Sequence, residues 1–234
     1  NLFLGLKSIL KTQFDFIVIS PGINIKDCKL KNYLQKNQNI IITELDIFYL
    51  SYPNNIKITI TGTNGKSTVC QMLYKIFKST KADVRIVGNI GNPPLLEKKI
   101  KKQTVFIIEA SSYQIFYSKY FKTNHAAILN LSPDHLERHG NINEYAKAKL
   151  KLFLNQEKNM YSYMEKNNNI LNKNILDNKI KIKLYKISYS KYYFFKKKLK
   201  NIYLQDKNNL RNIHFVYFIC RKFKIYDKKI FKSL

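Results

Sequence analysis

The stretch Ile58-Thr59-Ile60-Thr61-Gly62-Thr63-Asn64-Gly65-Lys66-Ser67-Thr68 decides the fold. Ile56 to Ile60 reads as a buried strand, Gly62 to Gly65 as a loop, and Ser67 to Ser79 as a helix with apolar residues at Val69, Leu73, Ile76 and Phe77. A glycine loop between a strand and a helix lets the backbone wrap phosphate oxygens, and the helix N-terminus adds free N–H groups and a favourable dipole. Lys66 is placed to neutralise β- and γ-phosphates, and the Ser67 or Thr68 hydroxyl to reach a Mg²⁺ ion. The usual phosphate loop has four residues between its glycines. Here there are two, Thr63 and Asn64.

Outward from this loop the chain stays regular. Upstream, Pro53-Asn54-Asn55 is a breaker cluster and marks a domain boundary. Before it, Phe14 to Ile19 reads as a strand ending at Ser20-Pro21-Gly22, Lys26 to Asn37 as a helix, and Ile40 to Ile42 as a strand. Downstream, the strands Val84 to Val87, Val105 to Ile108 and Ala126 to Leu129 each end in a polar loop, and Asn143 to Phe153 is helical. Alternating strands and helices imply a parallel α/β sheet, whose ligands bind beyond the carboxyl ends of the strands. Four polar loops at four such ends converge on one site.

Residues 155–205 are rich in Lys and Asn and carry no evident chemistry. They are expected to form short strands and loops.

Composition narrows the function classes. The chain has 234 residues and a net charge of +27, from 42 Lys+Arg against 15 Asp+Glu. Its lysines are scattered and accompany abundant Asn, Ile and Tyr, so compositional drift explains the charge better than a nucleic-acid-binding face does. Cys28, Cys70 and Cys220 form no paired motif and are expected to be buried thiols of a cytoplasmic protein. No apolar run is long enough to span a bilayer. The apolar start, Asn1 to Lys7, lacks the charged leader and cleavage site of a signal peptide, and the chain is expected to begin inside a longer protein.

Three further features are ambiguous as residues alone. Glu109 is either a strand-end surface group or a Mg²⁺ ligand, since hard cations prefer oxygen. His135 lies in the polar cluster Asp134-His135-Leu136-Glu137-Arg138-His139. Lys149, four residues after Tyr145 on one helix face, is by default a solvated lysine.

The loop at 58–68 resembles the ATP loop of the Mur ligase and folylpolyglutamate synthase superfamily, whose own variant is the shorter form. Glu109-Ala110-Ser111-Ser112, Asn130 to Gly140, Tyr145-Ala146-Lys147-Ala148-Lys149 and Gly88-Asn89-Ile90-Gly91 are similar to further motifs of that family. The resemblance implies an ATP- and Mg²⁺-dependent amide ligase. Gly62, Thr63, Asn64, Gly65, Lys66, Ser67 and Thr68 would hold the nucleotide. Ser67 and Glu109 would hold one Mg²⁺, and His135 with a carbamylated Lys149 the second. Lys66, His135 and Lys149 would be catalytic. Asn89, Ser111, Gln114, His135 and, upstream, Ser20 would contact a muramoyl substrate.

Ser-Ser-Tyr-Gln at 111–114, the Ser-Pro-Gly turn and Thr43 to Phe48 are similar to the D-glutamate-adding branch, which implies UDP-N-acetylmuramoyl-L-alanine and D-glutamate as substrates. Other branches, folylpolyglutamate-type ligases and a noncatalytic nucleotide-binding remnant remain alternatives. Asn209 and Asn212 resemble the adenine motif, although Asn208 stands where the family has His and Asp206 where it has Gly.

The expected fold class is therefore α/β. A P-loop-type central domain over residues 53–234, with a mostly parallel sheet flanked by helices, follows the tail of a Rossmann-like UDP-binding domain over residues 1–52. The resemblance also implies that a C-terminal domain is absent from this chain. The chain is expected to be monomeric, to bind neither nucleic acid nor membrane, and not to ligate by itself.

Overall fold

The computed structural model describes residues 5–177 and 182–234. Most of the opening apolar run, and part of the Lys/Asn-rich region, lie outside the described residues. In chain order the elements are α1 (Leu6–Lys11), β1 (Ile17–Val18), α2 (Lys31–Lys36), β2 (Ile41–Ile42), α3 (Glu44–Ser51), β3 (Lys57–Thr61), α4 (Lys66–Ser79), β4 (Val84–Gly88), β5 (Val105–Glu109), α5 (Ser112–Tyr117), β6 (His125–Ile128), α6 (Leu136–His139), α7 (Ile142–Leu154), β7 (Tyr161–Glu165), α8 (Asn169–Asp177), β8 (Leu184–Ile187), α9 (Tyr192–Lys198), α10 (Lys207–Lys222) and α11 (Asp227–Ser233).

The main sheet has six strands in the order β4-β5-β3-β6-β7-β8, and every pairing is parallel. Strands of such a sheet are buried on both faces, so they read as continuous apolar runs rather than alternating ones. In β5, Val105 and Ile107 face one core and Phe106 and Ile108 the other. The first core is closed by α4, α10 and α11. The second is closed by α3, α5, α7 and α8. Helix α4 buries Val69, Cys70, Met72, Leu73, Ile76 and Phe77 on one stripe. At about 1.5–3 kcal/mol for each large apolar side chain, that stripe anchors the phosphate loop to the sheet.

Pro53-Asn54-Asn55 lies between α3 and β3. Its carbonyls are gathered by Lys57, whose buried amine donates to the carbonyls of Tyr52, Pro53 and Asn55. Burial holds that amine down at about 8. Ahead of this junction, β1 and β2 pair in parallel as a separate two-stranded sheet. The segment is fastened by the wholly buried Asp46. One carboxylate oxygen accepts from the Ser118 hydroxyl and from the N–H groups of Lys119, Tyr120 and Phe121. The other accepts from Thr43.

Two expectations change. Residues 155–205 hold the expected short strands, β7 and β8, which complete the main sheet, but the helices α8 and α9 that flank it were not expected. Ser162, Tyr163 and Met164 are buried in that sheet. Cys28 is only half-buried, whereas Cys70 and Cys220 are buried as expected. Among the described residues no helix is long and apolar enough to cross a membrane.

Candidate active site

β3 lies between β5 and β6; the connection leaving β3 runs toward β4 at one edge, whereas those leaving β5 and β6 run toward the other, so the direction of the connections reverses beside β3. A crevice opens at such a reversal, beyond the carboxyl ends of the strands. The phosphate loop, Glu109, Asn89 and Asn130 all stand there.

Gly65, at φ 84, caps α4 in the left-handed region, and no side chain occupies the cap. The first-turn N–H groups of α4 are therefore open to an anion. A second loop braces the first. Asn130 accepts from the Asn64 N–H at 2.9 Å and donates to the Asn64 carbonyl at 2.9 Å, while Thr63 and Ser132 exchange hydrogen bonds. Lys66 folds back on its own loop, donating to the carbonyls of Gly62 at 3.0 Å and Thr63 at 2.9 Å. Ser67 is exposed beside it and Thr68 is half-buried.

Glu109 ends β5 with 1 % exposure. Its Oε1 accepts from the Asn89 side chain at 3.0 Å, and its Oε2 is buried with no hydrogen-bond partner. A buried carboxylate oxygen without a donor is costly unless a cation completes it. The site therefore fits a hard divalent ion held by Glu109 and a loop hydroxyl. Asn89 is held in turn by its N–H bond to the Glu109 carbonyl. The preceding Gly88, at φ 105, is required because a Cβ there would stand 2.3 Å from that carbonyl oxygen.

Lys149 is buried in α7, with its amine 3.1 Å from the Gly62 carbonyl, 3.4 Å from the Thr61 hydroxyl and over the Tyr145 ring. It is not the solvated lysine of the default reading. Burial, and then the charge of Lys66, bring its amine down to about 7, against a smaller opposing effect of Asp134. About half of this amine is thus neutral and nucleophilic near pH 7.

His135 stands at the start of α6 in the left-handed region, at φ 54, between Asp134 and Glu137. Its ring and the Lys149 amine share Tyr145 as a neighbour. Among the described residues no three His, Cys, Asp or Glu side chains cluster as metal ligands.

His139 donates to or accepts from Ser112 at 3.0 Å. Burial, with the charges of Lys149, Arg138 and His135, lowers its pKa to about 4, so it is neutral at pH 7. Ser111 and Gln114 are tied to each other in the capping box of α5. Ser20 lies in a turn whose Pro21, Gly22 and Ile23 carbonyls accept from Arg138 of α6.

A cavity of about 390 Å³ adjoins the phosphate loop, lined by Asn64, Gly65, Asn130, Glu165, Tyr189, Arg211 and Asn212 among others. Asn212 lies against Gly65, where a Cβ would come within 2.6 Å of its side-chain oxygen. Asn209 does not line the cavity, because its amide is tied to Tyr203 and Asp206. Asp206 caps α10 by accepting from the N–H groups of Asn208 and Asn209, which gives the residue at that position a structural reason.

Sequence reasoning missed Glu165 and Tyr189 because they lie in the Lys/Asn-rich stretch. Tyr189 bonds Glu165 and stacks beneath Arg211, and burial together with Glu165 raises its hydroxyl pKa. Asn130 was legible only as part of a motif.

Comparisons with known proteins show the family and the fold. The D-glutamate ligase of Rickettsia bellii, named UDP-N-acetylmuramoylalanine--D-glutamate ligase, is 32 % identical over the whole chain, which covers 56 % of that protein. The enzyme of the same name from Rickettsia felis is 39 % identical over 64 % of the chain and 33 % of its own length. The chain thus spans about a third to just over half of these relatives. Among solved structures, UDP-N-acetylmuramate:L-alanyl-gamma-D-glutamyl-meso-diaminopimelate ligase of Neisseria meningitides matches with a TM-score of 0.65 at 12 % identity, over 94 % of this chain and 78 % of that one. The MurF ligase of Thermotoga maritima in complex with ADP matches at 0.60 and 14 % identity, over 87 % and 60 %. These likenesses show a shared fold. The family model for the Mur ligase middle domain matches residues 60–225, most of the chain, and so the chain belongs to the Mur ligase family.

Proposed function

We propose that the chain is the nucleotide-binding core of an ATP-dependent ligase that joins D-glutamate to UDP-N-acetylmuramoyl-L-alanine in peptidoglycan precursor synthesis. The observation that carries this is the convergence of the uncapped α4 N-terminus, Lys66, Glu109 and Lys149 at the reversal point of the sheet. The names of the relatives, UDP-N-acetylmuramoylalanine--D-glutamate ligases at 32–39 % identity, support the branch. In this reading residues 1–52 are the end of a UDP-sugar-binding domain and residues 53–234 the ATP-binding domain.

The chemistry asked of the site is transfer of the ATP γ-phosphoryl group to the substrate carboxylate. The D-glutamate amine then attacks the acyl phosphate, and phosphate leaves. The residues here act by position and charge. The α4 N–H groups and Lys66 hold the phosphates, with Lys66 leaving the Gly62 and Thr63 carbonyls to do so. Mg²⁺ ions, when bound, neutralise charge on the transferring group. Glu109 and Ser67 would hold one ion. His135 and Lys149 would hold the other once the neutral form of the Lys149 amine has added CO₂ and released a proton to solvent, leaving a carbamate that offers oxygen ligands. Asn89, Ser111, Gln114 and the Ser20 turn would orient the muramoyl substrate. Asn212 and the cavity beside Gly65 would take the nucleoside, while Asn209 ties the start of α10 to Tyr203 and Asp206.

The test is ADP release by the longest natural reading frame containing this chain, given Mg-ATP, UDP-N-acetylmuramoyl-L-alanine and a panel of amino acids. Release that requires both D-glutamate and Lys66 is expected. Release driven by another amino acid, or none at all, would reject the D-glutamate reading.

A further inference from the structure

Arg138 links the strand-end site to the amino-terminal segment. Among the described residues it forms no ion pair. Its guanidinium instead gathers three consecutive backbone carbonyls of the amino-terminal segment: Gly22 at 3.1 Å, Pro21 at 3.1 Å and Ile23. It lies 4.8 Å from the Tyr113 ring centroid and 6.0 Å from that of Tyr117, so its plane is fixed by α5. A planar fork with five donors at fixed angles holds the three carbonyls in one orientation, which the freely rotating ammonium of a lysine does not impose.

The helix that carries Arg138 has only four residues and is held at both ends. His135, at its start, accepts from the N–H groups of Arg138 and His139 through its carbonyl. His139, at its end, bonds Ser112 of α5. Neighbouring residues of α6 therefore grip opposite sides. Arg138 holds the Pro21–Ile23 turn, and His139 holds the loop that follows β5.

We infer that Arg138 is a positioning residue that registers the Ser20–Ile23 turn, and with it the sugar-nucleotide substrate, over the strand-end site. The part concerning substrate rests on the ligase reading given above. The fastening itself rests on geometry alone.

The experiment compares the wild-type chain with Arg138→Ala and Arg138→Lys. Backbone amide exchange is read at Ile23, whose N–H bonds the Ser20 carbonyl, with β3 and α4 as internal references. Calorimetry reads UDP-N-acetylmuramoyl-L-alanine and Mg-ATP separately. In Arg138→Ala, exchange at Ile23 rises about tenfold with β3 and α4 unchanged. Affinity for the sugar nucleotide falls about tenfold, while Mg-ATP affinity changes less than about twofold. Arg138→Lys falls between the two. Unchanged exchange at Ile23 overturns the inference whatever the ligands do. Parallel loss of both affinities overturns it too, because a general structural defect then explains the change. If the wild-type chain binds no sugar nucleotide, the substrate role falls together with the ligase reading, and the exchange result still decides whether Arg138 fastens the turn.

Discussion

Replacing Lys149 with Met is expected to stabilise the chain at pH 7. The side chains are similar in length, but Met carries no charge into the buried site. In the folded protein the Lys149 amine titrates near 7, against an ordinary 10.5. The unfolded chain therefore binds more protons than the folded one between these values, and wild-type stability rises with pH across that window. The penalty is fully present below pH 7 and is gone above 10.5. Its full size is about 4–5 kcal/mol. Loss of the cation–π contact with Tyr145 returns about 1 kcal/mol. The Gly62 carbonyl is not orphaned, because Lys66 also donates to it. The net gain at pH 7 is about 3 kcal/mol, a rise in midpoint of roughly 5–10 °C for a chain of this size. Thermal unfolding of both proteins in CO₂-free buffers from pH 6 to 10.5 reads it directly. A variant less stable at pH 7, or an advantage that does not shrink as pH rises, would refute the reasoning.

Three further outcomes are expected. Asp46→Ala leaves the N–H groups of Lys119, Tyr120 and Phe121 without their acceptor and should cost about 3–5 kcal/mol in denaturant unfolding; a loss under about 1 kcal/mol would show that these groups find other partners. Gly65→Ala should weaken Mg-ATP binding about tenfold in calorimetry, because the new Cβ meets Asn212 and the backbone sits at φ 84; wild-type affinity would remove Asn212 from the nucleotide site. His125→Gln, which can keep a bond to Tyr163, should flatten the loss of stability on acidification. His125 is held at about 3 by burial, so stability is present above the ordinary value of 6.5 and is lost as pH falls below it. An acid limb as steep as that of the wild type would exclude His125 as its source.

The sheet and the phosphate loop were legible because their signals are local. An apolar strand, two glycines and an apolar stripe at helical spacing all fall within 24 residues, from Ile56 to Ser79. Residues 155–205 were not legible, since frequent Lys and Asn hid short buried runs such as Ser162 to Met164. The first strand shrank to Ile17–Val18 because pairing with Ile41–Ile42, rather than apolarity, sets its length. Lys149 looked like a solvated lysine because a sequence gives spacing along α7 but not what α7 packs against. Arg138 and Asp46 were invisible for a related reason. Their long-range partners lie 115–117 and 72–75 residues away and are mostly backbone groups, which almost every residue presents whatever its side chain. The Asp at 206 looked like damage to a motif, whereas the fold uses it to cap α10.

The account rests on four strand ends forming one Mg-nucleotide site, and calorimetric titration of the chain with ATP tests this most directly, with and without Mg²⁺, in wild type, Lys66→Ala and Glu109→Gln. The account predicts saturable binding strengthened by Mg²⁺, lost in Lys66→Ala, and made insensitive to Mg²⁺ in Glu109→Gln. Binding that is indifferent to all three changes would contradict it.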